Sequence, residues 1–140
     1  MKNLMLLFLI CGFMPAFSQN IVGTWKRTSS ILEYVDGKTD DLQKNLSVAF
    51  PCSADIKYVF ESGGKHYMIL PKGCESFPKI EANWTQTGNK LFISQKVGKT
   101  TTDTNYELNF SGKTMTMTHI YTPAEGLNKT KRLVIKYERI

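Results

Sequence analysis

The sequence has little of what enzymes and metal proteins use. It holds two histidines and three cysteines among 140 residues, and they share no ligand-like spacing. There is no Cys-x-x-Cys, so the zinc-ribbon and dithiol-redox readings drop out. There is no Gly-rich phosphate loop and no paired-histidine helix motif. His119 belongs to no pattern that pairs it with an acid and a Ser or Cys, so nucleophilic catalysis lacks its parts. Asp40-Asp41 is a carboxylate pair. Adjacent carboxylates in a polar loop are ordinarily solvated or cap a helix. The chain reads as a non-enzyme, with no cofactor and no metal site. Internal repeats and low-complexity stretches are also missing. The net charge is +6. Lys129, Lys131 and Arg132 are near neighbours, but no aromatics interleave with them. The excess therefore points to solubility, not to nucleic acid.

Long apolar runs are missing too, save one. Leu4 to Phe13 follows Lys2, and about ten residues suit a signal-peptide core but fall short of a bilayer span. Small residues at Ala16 and Ser18 fit a cut after Ser18. Residues 1–18 are expected to be a signal peptide and residues 19–140 one domain, exported to the periplasm or beyond. No transmembrane segment is expected in that mature chain. A lipoprotein anchor fits poorly, because Cys11 lies inside the apolar run behind bulky Ile10. Cys11 leaves with the leader. Cys52 and Cys74 then remain in an oxidising compartment, where a disulfide is the direct inference. It would close a loop of about 23 residues, worth roughly 3 kcal/mol on chain entropy.

The dominant hydrophobic period is two. Ile56, Tyr58 and Phe60 alternate with Lys57, Val59 and Glu61. Tyr106, Leu108 and Phe110 alternate with Asn105, Glu107 and Asn109. Met115, Met117, His119 and Tyr121 alternate with Thr114, Thr116, Thr118 and Ile120. Leu133, Ile135 and Tyr137 alternate with Val134, Lys136 and Glu138. Gly63-Gly64, Gly88-Asn89 and Ser111-Gly112 punctuate the runs as turns. Eight strands are predicted near 22–33, 55–61, 65–70, 79–87, 90–96, 102–110, 113–121 and 130–139. Leu42, Leu46 and Ala49 have helical spacing. They predict one short helix between the first and second strands, with its apolar face across a barrel end. Strands that neighbour each other in sequence make a meander. Eight of them close most simply into an all-β, antiparallel up-and-down β-barrel without free edges.

Gly23-Thr24-Trp25 opens the first strand. A tryptophan there can plug one end of a barrel, and the glycine allows close backbone approach. The last strand closes beside the first, so Arg139 can lay its guanidinium over Trp25. Gly-x-Trp at the first strand, with a basic residue closing the last, resembles the lipocalin pattern. More closely, the chain is similar to the bacterial lipocalin-like domain family. The resemblance rests on Ile21 to Trp25, Cys52-Ser53-Ala54-Asp55, Phe60, Gly63-Gly64, Cys74, Trp84 and Tyr137-Glu138-Arg139. It spans nearly the whole mature chain, though the segment from Trp25 to Cys52 is long and "KVGKTTTDT" has no counterpart. It implies a barrel, export and small-molecule binding.

Two functional readings follow. In the first, the barrel interior holds a small hydrophobic or amphipathic molecule, with a lipid among the candidates. The inward residues then line the site: Tyr58, Phe60, Tyr67, Trp84, Tyr106, Met117, His119 and Tyr121, with Ile69, Phe92, Leu108 and Met115 on the same count. Tyr67, Tyr106, His119 and Tyr121 carry polar tips that need partners when buried, and a ligand can supply them. The plain alternative is that all twelve fill a core. In the second reading, the barrel is filled and works as a protein-interaction or inhibitor module. It then acts through open-end loops at residues 35–50, 71–78, 96–104 and 122–129.

Overall fold

A computed structural model describes residues 20–125 and 129–140. The expected signal peptide lies outside the described residues. Among the described residues nine strands run in chain order: β1 (Gly23–Tyr34), β2 (Thr39–Asp41), β3 (Lys57–Phe60), β4 (Lys65–Ile69), β5 (Glu81–Thr87), β6 (Lys90–Val97), β7 (Thr100–Ser111), β8 (Thr114–Ile120) and β9 (Thr130–Arg139). Each pairs antiparallel with its neighbour in the order β2-β1-β3-β4-β5-β6-β7-β8-β9, and β9 returns to pair with β1. The result is a closed eight-stranded antiparallel barrel. The short β2 is an extra strand on the far end of β1, which the period-two pattern did not reveal.

The helix α1 (Leu42–Ala49) lies between β2 and β3. Asp41 caps it, its carboxylate accepting from the Lys44 backbone N–H at 2.8 Å. The expected burial of its apolar face does not occur. No α1 residue is buried, and Leu42 is exposed. Gln43, Leu46 and Ser47 are its half-covered residues instead. The helix is turned so that the neighbouring stripe meets the barrel, where Gln43 Oε1 accepts from Arg27 Nε, and Leu42 and Ala49 are carried off the barrel face. A 3₁₀ turn (Pro51–Asp55) follows and leads into β3. Cys52 in that turn is disulfide-bonded to Cys74, with Cα atoms 5.8 Å apart. The bond ties the 35–56 connection to the 70–80 connection.

One end of the barrel is closed by packing. Trp25 is 1% exposed and its indole N–H donates to the Ile21 carbonyl at 2.8 Å. The β1–β9 register sets Trp25 opposite Arg139. The Arg139 Cζ sits 4.3 Å from the Trp25 ring centroid. Its Nη1 donates to the Val22 carbonyl at 2.8 Å and its Nη2 to the Asn20 carbonyl at 2.7 Å. Gly23 adopts φ +144°, and a Cβ there would come within 2.6 Å of Arg139 Nη1. The glycine is needed both for its backbone angle and for the arginine's place on the indole.

Antiparallel partners project to the same face, so register decides what points inward. Phe60 pairs with His66 and Tyr58 with Met68. His66 is therefore inside and Tyr67 outside, contrary to the inward placement of Tyr67 and Ile69. Ile69 is 47% exposed. The reason lies in the turn. Gly64 N–H donates to the Glu61 carbonyl, and Glu61 N–H donates to Lys65. That turn sets the phase of β4. Phe92 is likewise outside, because Trp84 pairs with Ile93 and Thr85 with Phe92. Contiguous apolar residues at Leu91-Phe92-Ile93 carry no parity of their own.

Candidate functional site

The inner face divides into two regions. Toward the Trp25 end it is packed: Ile21, Trp25, Phe60, Leu91, Met115 and Met117 are all buried to within 2%. Trp84 joins this region, edge-on to Phe60 with centroids 6.1 Å apart, and its indole N–H donates to the Lys65 carbonyl. Toward the other end the inner-facing Leu32, Gln95, Thr104, Tyr106 and Leu133 are only partly covered, and Thr102 is exposed. The connections 35–56, 70–80 and 98–99 and residues 121–125 gather at that end.

Of the residues proposed for binding, Phe60 and Met117 fall in the packed region. Tyr67 faces outward. There it lines a shallow groove of about 540 Å³ with Glu61, Glu81, Asn83, Ser94 and Lys96. The Glu61 carboxylate beside it raises its phenol pKa. Tyr106, His119 and Tyr121 come together nearer the open end, whereas Tyr58 lies opposite Trp25 and stacks on His66. Tyr121 presents its ring edge-on to His119 with centroids 4.6 Å apart, and Tyr106 lies at 5.8 Å.

His119 also marks an opening. The β7–β8 ladder stops at Glu107 and Thr118. Beyond it β7 continues with β6 and β8 with β9. The imidazole fills the gap: Nδ1 is 2.7 Å from the Asn105 carbonyl and Nε2 is 3.0 Å from Glu125 Oε1. Both partners are acceptors, so only the doubly protonated ring donates to both. Glu125 accepts from the Thr122 backbone N–H, the chief reason its pKa is lowered. The slot between the strands encloses about 430 Å³, lined by Tyr106, His119, Thr122, Glu125 and Lys90 among others. It is a surface depression over the end of the β7–β8 ladder, with the His119 imidazole and Tyr106 at its floor.

Sequence reasoning missed Arg27. Its Cα partner is Tyr137, which is 4% exposed, so the two project inward together. The Arg27 Cζ lies 5.2 Å from the Tyr58 ring centroid, and its Nε donates to Gln43 Oε1 of α1 at 2.6 Å. Tyr58 and Tyr137 pack edge to face at 5.2 Å. Burial pushes both phenols upward, and Arg27 opposes that rise in each. The signal was present, since Arg27 has the parity of Trp25. What the sequence did not carry is the bulge just after it. The register slips between Arg27 and Ser29, so Ser30, not Ser29, is buried on the inner face.

Among the described residues no cluster of three or more His, Cys, Asp or Glu side chains is placed to hold a metal. No described helix is long and apolar enough to cross a membrane. The closed meander, the Gly23-x-Trp25 plug and the Arg139 clasp define a lipocalin-type barrel. A family model of lipocalin-like domains matches residues 21–117, and the chain belongs to that family. No curated protein and no solved structure matches it.

Proposed function

We propose that the protein binds a small hydrophobic or amphipathic molecule in the less densely packed half of its barrel. The observation that carries this reading is the divided inner face: one end is packed shut, while Leu32, Gln95, Tyr106 and Leu133 remain partly uncovered beneath the loops. Apolar walls with a few polar tips are the usual lining of such sites. An eight-stranded barrel has room for one small ligand at most. The Cys52–Cys74 bond accords with an exported protein working in an oxidising compartment.

Native mass spectrometry on protein purified from its own host, followed by denaturing extraction, tests this. A retained small molecule near unit occupancy is the expected result. A clean apo mass, with no uptake of an apolar fluorescent probe afterwards, overturns it. A second reading has its own observation. Val35 is 71% exposed and Val48 78% exposed on the 35–50 connection, as an interaction or inhibitor module acting through that connection would require.

A further inference from the structure

The group that stands apart inside this barrel is Arg27. Its side chain is partly buried, yet among the described residues no carboxylate lies within salt-bridge distance of it. Its one hydrogen bond goes from Nε to a neutral amide, Gln43 Oε1. The two terminal nitrogens, Nη1 and Nη2, donate to nothing among the described residues. A half-buried guanidinium whose terminal nitrogens have no protein partner is placed to receive an anion. Two further polar groups face the same space. Tyr58 and Tyr137 are 6% and 4% exposed, and their hydroxyls have no hydrogen-bond partner among the described residues. Neither hydroxyl is sealed off, because among the described residues the buried side-chain atom left without a partner is Ser53 Oγ; both therefore open on space that water or a ligand reaches. A planar guanidinium fork flanked by two phenol donors matches a carboxylate, which accepts two parallel N–H bonds and has lone pairs to spare.

We infer that Arg27, with Tyr58 and Tyr137, is the head-group site of the barrel and takes the carboxylate of an amphipathic acid. The inference rests on the binding function proposed above and names its ligand class. The apolar tail runs along Leu32, Leu133 and Tyr106 toward the open end. Gln43 holds the fork from α1, a helix with no buried residue, so α1 is lightly seated and can shift as the acid enters.

Calorimetric titration of the disulfide-bonded chain with laurate, dodecanol and methyl laurate, each below its aggregation limit, tests the site. The expected order has laurate tightest. Arg27→Gln lowers laurate affinity by about tenfold or more, the usual loss for a hydrogen-bonded charge, and leaves dodecanol unchanged. Arg27→Lys keeps the charge without the fork and recovers part of the loss. Tyr137→Phe weakens laurate alone, and it serves if Arg27→Gln does not fold by circular dichroism. Equal binding of laurate and dodecanol by the parent protein overturns the anion site while leaving a binding barrel. Binding of none of the three overturns the proposed function itself.

Discussion

The two halves of this barrel solve different problems with the same strands. The Trp25 half is packed with large apolar side chains and stitched by Arg139 to the segment before β1. The opposite half sets Ser30, Gln95, Thr104 and Tyr106 on the inner face and leaves much of it uncovered. The comparison teaches that the two ends are held by different means: the Trp25 end by apolar packing, the opposite end by the Cys52–Cys74 bond that ties its loops.

Substitutions can break that contrast, and the largest effect belongs to the plug. Trp25→Ala should cost about 3–5 kcal/mol, as truncation of a fully buried large aromatic does, read by urea unfolding. A loss under about 1 kcal/mol would mean the Trp25 end is not held by that packing. Next comes the staple: replacing Cys52 and Cys74 together by Ser should cost about 2–4 kcal/mol in the same assay under oxidising conditions. Arg139→Ala gives up two hydrogen bonds to carbonyls and the contact with Trp25, so about 1–2 kcal/mol is expected, with little change in ligand affinity.

His66 gives a pH test of the packed half. It stacks on Phe60 with centroids 4.0 Å apart, and its Nδ1 is 2.9 Å from the Val59 carbonyl. Burial lowers its pKa below the ordinary 6.5. The unfolded chain therefore binds a proton more readily than the folded one. Stability should fall as pH drops below 6.5, by at most about 1.4 kcal/mol per pH unit. Above that value the residue makes no difference to the slope. His66→Gln should flatten this part of the stability profile, and an unchanged slope would contradict burial of the neutral ring. The smallest effect is expected at the open end. Tyr106→Phe should leave the melting of ligand-free protein within about 0.5 kcal/mol of the parent while changing ligand affinity.

Much of the barrel was legible because its causes are local. Met115-Thr116-Met117-Thr118-His119 shows its inner face by strict alternation, and Gly88 and Gly112 mark hairpins that do form. The candidate site was less legible. Tyr67 and His66 are adjacent, each plausible inside, and only the turn register chose His66. Arg27 belongs to no motif, and its partners Gln43, Tyr58 and Tyr137 are far from it in sequence. The slot at His119 arises where a ladder stops, and nothing in "NYELNF" or "THIY" announces that.

By itself, then, the sequence determined the alternation, the turns, the Gly23-x-Trp25 start and the two cysteines that bond, and with them a closed antiparallel meander. These depend on residue type and near neighbours alone. Which of two adjacent residues faces inward, where β1 bulges, and which side chains from β1, β3, α1 and β9 meet around Arg27 were decided by the tertiary structure. The physical reason is the two-residue period of a strand: a one-residue slip in a turn or bulge sends every later side chain to the other face, and only closure of the whole sheet selects the register.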